Sequence, residues 1–300
     1  MNLFLKYIKK IILSILSIML LSFAIKMIWI NKTSYYFKKK KIKNYCNIDI
    51  GIFGHSQTLG GLDEKILNEN QTNFIFENYS ITGAPLFYNA CLIEYSLSKN
   101  PKMEVILEIG SNNVDQRGTI KGVFHENSFF HFENFFSYIL TQDLHFSFNK
   151  KLYDSMKYLF TSTFNFPTYN FTGFQPWESK FEIALNRFKE DSIKTNEKYN
   201  SKINMDFEIN RLIEVIEANP LNEFLLIRLP EHDLYQKILS NSNRYEEVIC
   251  RLTNFKNVNF RDFVNYQLKD DDFRDLYHLS NNGAIKFSKY FISNFSNFKE

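Results

Sequence analysis

A chain of 300 residues has room for one sizeable α/β domain and a membrane anchor, and too little for two catalytic domains. Apolar residues make up 44% of it, which supports a packed core and excludes wholesale disorder. The net charge of +3 is unevenly spread: the first 43 residues hold ten lysines and no acid, leaving 26 basic against 33 acidic residues, a net of −7, in the remainder. A mildly acidic domain excludes nucleic acid as its main partner.

In chain order, residues 11–30 (IILSILSIMLLSFAIKMIWI) come first. Twenty residues at about 1.5 Å each cross a hydrocarbon core of roughly 30 Å. Lys26 and Trp29 stand near one end, where both suit an interface. No small-x-small cleavage site follows, so residues 1–32 are expected to be an uncleaved anchor rather than a signal peptide. Lys6, Lys9 and Lys10 precede the segment. The stronger cluster Lys38–Lys41 with Lys43 follows it, in a basic linker over 33–47. By the positive-inside rule alone, these charges put the rest of the chain in the cytoplasm.

From residue 48 the pattern becomes that of buried strands alternating with helices. Apolar runs at 48–53, 105–109, 224–229 and 258–260 read as strands, most of them closed by glycine or proline. Helices are expected over 85–99, 207–218, 244–255 and 282–295. This alternation predicts a parallel sheet of about five strands with helices on both faces, a three-layer α/β fold over 48–300. Between residues 117 and 199 the rhythm stops in an aromatic-rich insertion, expected to pack its own helical face or to cover the edge of the site. The cysteines Cys46, Cys91 and Cys250 form no CxxC and no His/Cys cluster. They read as free buried thiols, with neither a zinc site nor a disulfide framework. His125, His131 and His145 show no metal spacing, so no metal and no organic cofactor are expected.

The first strand runs straight into Gly54-His55-Ser56, which exposes a serine at the carboxyl edge of the sheet, where open α/β folds build their sites. Asn78-Tyr79-Ser80-Ile81-Thr82-Gly83, Gly110-Ser111-Asn112-Asn113 and Asp275-Leu276-Tyr277-His278 follow in that order. Ser56 needs a base to become nucleophilic. His278 suits that task near neutral pH, and Asp275, three residues earlier, suits fixing its tautomer. Asp275 also follows the acidic run Asp270–Asp272, so a solvated charge is the plain alternative.

These four blocks resemble, in order and spacing, those of the SGNH/GDSL hydrolases. The resemblance implies an SGNH-hydrolase-like (flavodoxin-like) fold, with Ser56, His278 and Asp275 as catalytic residues. It further implies an oxyanion hole of the Ser56 N–H, the Gly83 N–H and the Asn112 amide. Two positions depart from the family pattern: His55 stands where an Asp usually precedes the serine, and Asn113 where the third block ends in Asp. An anchored Ser-block protein is similar to the envelope branch of the family. The expectation is therefore a membrane-anchored, extracytoplasmic serine esterase or O-acyltransferase. It would move acetyl or a similar small acyl group on a cell-envelope polysaccharide. Its partners would be an acylated glycan or glycan acceptor and, for transfer, a membrane-bound acyl-donor protein. This topology opposes the one the flanking lysines suggest. The alternative is a catalytically inactive glycan-binding or scaffold protein of the same fold. His55, His232 and Trp177 are candidate substrate contacts, two of them with a structural alternative: a turn hydrogen-bonder for His55 and core packing for Trp177.

Overall fold

The computed structural model of the chain describes residues 47–70, 73–82, 84, 86–110, 206–239 and 243–298, together with Ser17, Ile42, Pro176, Glu178 and Phe181. Five strands form one parallel sheet: β1 (Ile50–Phe53), β2 (Phe76–Asn78), β3 (Glu104–Glu108), β4 (Phe224–Arg228) and β5 (Val258–Asp262), in the order β2-β1-β3-β4-β5. That is the doubly wound, flavodoxin-like order, with its reversal at β1/β3. β1 and β3 are central and their apolar runs are buried on both faces, as all-parallel strands require.

Alternate residues serve opposite faces. Phe53, Val105, Leu107, Phe224 and Leu226 pack under the helices Leu86–Lys99 (α3), Asp206–Ala218 (α4) and Asn243–Thr253 (α6). Ile50, Ile52, Ile106, Leu225 and Ile227 face the second layer, built from Glu64–Asn70 (α2), Asp233–Leu239 (α5), Asn281–Ser293 (α7) and Phe295–Phe298 (α8). Much of the second layer is aromatic. Phe263 meets Phe287, Phe291 and Phe298 edge-on at 5.1–5.8 Å, a favoured ring geometry that also buries large area.

The expected strands and long helices correspond to observed ones with shifts of a few residues at their ends, and the last expected helix is divided into α7 and α8 by Asn294, the C-cap of α7. The serine turn differs from expectation. Ser56 is the first residue of a short helix, Ser56–Gly61 (α1), whose N-cap is His55. Gly54 is required before it, because a side chain there would collide with Thr58 and meet Glu108 Cβ at 2.9 Å. The segment 11–30, apart from Ser17, and the insertion 117–199, apart from Pro176, Glu178 and Phe181, lie outside the described residues, as does the linker apart from Ile42 and Asn47. Among the described residues no helix is long and apolar enough to cross a membrane.

Candidate active site

Parallel strands end together, so the segments that leave their carboxyl ends meet at one edge. β1 delivers Ser56. The stretch beyond β5 delivers a tight loop in which Phe273 and Leu279 form an antiparallel bridge. Within it the Arg274 N–H donates to the His278 carbonyl at 2.8 Å, closing the loop Arg274–His278. The two segments join through side chains: Ser56 Oγ lies 2.8 Å from His278 Nε2, and His278 Nδ1 lies 2.8 Å from Asp275 Oδ2 and 3.0 Å from Oδ1.

Asp275 Oδ1 also accepts the backbone N–H of Tyr277 (3.1 Å) and of His278 (2.9 Å). Burial pushes this carboxyl up, but the hydrogen bond and charge of His278 and the two backbone donors outweigh it and hold Asp275 below the ordinary carboxylate value. An ionised Asp275 places the hydrogen on Nδ1 and leaves Nε2 as an acceptor for the Ser56 hydroxyl. Asp275 is thus distinct from the acidic run before it. Asp270 is largely exposed, whereas Asp272 is buried, ion-paired with Lys286 at 2.7 Å, and caps the loop by accepting the Lys269 N–H. Gly283, in the first turn of α7, lies so close to the Asp272 carbonyl that any side chain there would collide with it.

The nucleophile turn is held from beneath. Glu108, at the end of β3, has no exposed surface. Its Oε2 accepts the His55 backbone N–H at 3.2 Å and the Thr58 hydroxyl at 3.1 Å. Its Oε1 stands 3.4 Å from His55 Nε2. His55 Nδ1 accepts the Gln57 N–H at 3.1 Å and so caps α1. Burial lowers the His55 pKa, opposed by Glu108 and assisted by His278, which leaves a neutral ring carrying its hydrogen on Nε2. The Ser56 N–H, first in the helix, has no intrahelical acceptor. The Gln57 side chain reaches across to donate to the Tyr277 carbonyl at 2.7 Å, linking α1 to the His278 loop.

Of the remaining candidates, His55 takes the structural alternative, a turn hydrogen-bonder, rather than a substrate contact: it is 8% exposed and both ring nitrogens face inward, to Gln57 and Glu108. His232 does not join the Ser56–His278–Asp275 chain. Its ring lies between Asp270 Oδ1 (3.3 Å) and the Leu234 N–H (3.2 Å) and packs on Phe181 and Phe273, while its backbone N–H donates to Leu276 within the loop. Gly83, Asn112 and Trp177 lie outside the described residues. The segments leading to the first two start beside Ser56: the Ile81 N–H donates to the Gly54 carbonyl, and a side chain at Gly110 would meet Gln57 Oε1 at 3.2 Å.

Sequence reasoning missed Glu108, Gln57 and Tyr277. The signal for Glu108 was present, since an acid follows directly on the buried apolar run Val105-Ile106-Leu107. Gln57 and Tyr277 carry no comparable mark. Cys91 is buried as expected, whereas Cys250 is exposed. Burial raises the Cys91 thiol to about 11, far from reactive.

No curated protein matches the sequence. A GDSL-like lipase structure from Bacteroides thetaiotaomicron VPI-5482 superposes with a TM-score of 0.40 at 10% identity, covering 86% of this chain and 89% of that one. A family 3 carbohydrate esterase from Clostridium thermocellum superposes with a TM-score of 0.41 at 13% identity, covering 84% and 98%. The fold assignment rests on strand order and block order rather than on these overlaps. A protein-family model without a description matches residues 142–300, more than half of the chain. The chain belongs to the family of that model, and its β2-β1-β3-β4-β5 sheet, with the Ser block after β1 and the Asp–His block after β5, has the doubly wound arrangement that the sequence resemblance implies.

Proposed function

We propose that the chain is a serine ester hydrolase or O-acyltransferase working through an acyl-Ser56 intermediate. The observation that carries this reading is the continuous hydrogen-bonded path Ser56 Oγ–His278 Nε2, His278 Nδ1–Asp275. Ser56 Oγ attacks the ester carbonyl carbon while its proton passes to His278 Nε2. Asp275 stabilises the imidazolium without taking a proton itself. The tetrahedral oxyanion is met by the Ser56 N–H, with the Gly83 N–H and the Asn112 amide as the further donors. One such donor is typically worth about 10²–10³ in turnover. On collapse the carbon–oxygen bond to the leaving alcohol breaks, and that oxygen takes the proton from His278. Water then repeats the sequence and releases the acid. If a sugar hydroxyl takes the place of water, the acyl group is transferred instead.

The substrate class we propose is acetyl or a similar small acyl group on a cell-envelope polysaccharide, with residues 11–30 anchoring the domain at the outer side of the membrane. A membrane-bound acyl-donor protein is the partner this layout suits if the reaction is transfer. The full chain, incubated with an activated acetyl ester beside Ser56→Ala and His278→Ala, tests the chemistry. Turnover by wild type alone supports it. Equal inertness of all three would leave the glycan-binding alternative. A reporter fused after Glu300 tests the topology: periplasmic activity agrees with the proposal, and a signal confined to the cytoplasm contradicts it.

A further inference from the structure

A fully buried carboxylate is costly to ionise without partners, so the groups that satisfy Glu108 indicate what it holds in place. The partners described above all lie in the turn around Ser56: the His55 N–H, the Thr58 hydroxyl and, facing the other oxygen, His55 Nε2. Glu108 thereby holds His55 by its backbone N–H and stands against its ring. With the ring fixed, Nδ1 is aimed at the Gln57 N–H, which closes one of the free donors at the start of α1. The peptide between His55 and Gln57 is then fixed at both ends, and it carries both the Ser56 hydroxyl and the Ser56 N–H. Gly54 completes the arrangement, since a Cβ there would separate Thr58 from Glu108.

We infer that Glu108 is a positioning residue for the Ser56 chemistry. Through His55 and Thr58 it holds the nucleophile turn so that Ser56 Oγ stays on His278 Nε2 while the Ser56 N–H stays open for the oxyanion. This role rests on the functional reading above. It also gives His55 a purpose at its unusual position: a neutral imidazole there turns Nε2 toward the buried carboxyl at 3.4 Å on one side and accepts from the helix start on the other.

The full chain is assayed with an activated acetyl ester and with a serine-directed phosphonate, alongside thermal unfolding. Glu108→Gln keeps shape and one carbonyl oxygen but turns an NH₂ toward one of the donors now satisfied. It is expected to lower kcat and the phosphonate labelling rate about 10²-fold, with KM nearly unchanged, the pattern of a misplaced reacting group. Thr58→Val removes only the hydroxyl donor and is expected to lower kcat about fivefold, again at constant KM. Folded Glu108→Gln protein with wild-type kcat overturns the role. So does a loss of activity that matches the unfolded fraction while folded molecules label at the normal rate. Should Glu108→Gln not fold, an unchanged kcat in Thr58→Val overturns it. A wild type that neither turns over ester nor takes phosphonate sinks the functional reading and this role together, whereas active wild type beside equally active variants sinks this role alone.

Discussion

The two segments that supply the site are held in contrasting ways. The His278 loop is secured locally. Asp275 is bonded to His278 and to the backbone around it, the bridge between Phe273 and Leu279 closes the loop, and Asp272 ties its base to Lys286. The Ser56 turn is secured from far along the chain, by a buried carboxylate 53 residues from His55 and a glutamine reaching a carbonyl 220 residues away. Local bonds close with little loss of chain entropy and tolerate a change in one member. A buried charge with distant partners does not, because each donor removed leaves an acceptor without solvent.

The changes expected to matter most ignore this contrast. Ser56→Ala and His278→Ala each remove a group that acts in the same transfer, and either is expected to lower ester turnover roughly 10⁶-fold, while Asp275→Asn lowers it roughly 10⁴-fold. Steady-state rates on one activated ester check the order. If Asp275→Asn proved as active as wild type, the His278 tautomer would not depend on it.

The next prediction strains the local side. Gly283→Ala forces a methyl group against the Asp272 carbonyl, beneath the His278 loop. A stability loss of about 1–3 kcal/mol in denaturant titration is expected, together with reduced turnover. Unchanged stability would mean that α7 moves away from the Asp272 carbonyl at no cost.

A smaller effect appears in acid. The folded-state pKa of Asp275 is depressed. Its contribution is therefore fully present above the unfolded value, near 3.9, and is lost as pH falls through the lower folded value. Denaturant midpoints measured from neutral pH downward should fall less steeply in that window for Asp275→Asn than for wild type. Parallel curves would show that the pairing with His278 adds nothing to folding.

The smallest effect belongs far from the edge. Arg211 pairs with the half-exposed Glu94 at 2.6 Å. Glu94→Gln should cost no more than about 1 kcal/mol, vanish into salt screening, and leave turnover as it was.

The same contrast explains what could be read without coordinates. β1, β3, β4 and β5 announced themselves because a sheet buried on both faces needs continuous apolar runs, and α4 and α7 through their apolar periodicity; β2, only Phe76-Glu77-Asn78, has no such run. Asp275 and His278 were legible because their partnership spans three residues. Ser56 was legible as a serine directly behind a strand. The start of α1 at Ser56 was not, since its cap is a histidine rather than the usual small polar residue. Nor was the partner that His55 faces, because that acid lies on another strand and only the β1–β3 register brings the two together. Gln57 and Tyr277 stand 220 residues apart in the chain and are brought together only by the tertiary fold.

The central claim is that Ser56 is an activated nucleophile, and mass analysis of the intact chain after exposure to a serine-directed phosphonate tests it most directly. The account predicts one adduct, mapped to Ser56, absent in Ser56→Ala and strongly slowed in His278→Ala. An unmodified wild type, or an adduct that forms at the same rate without His278, would contradict it.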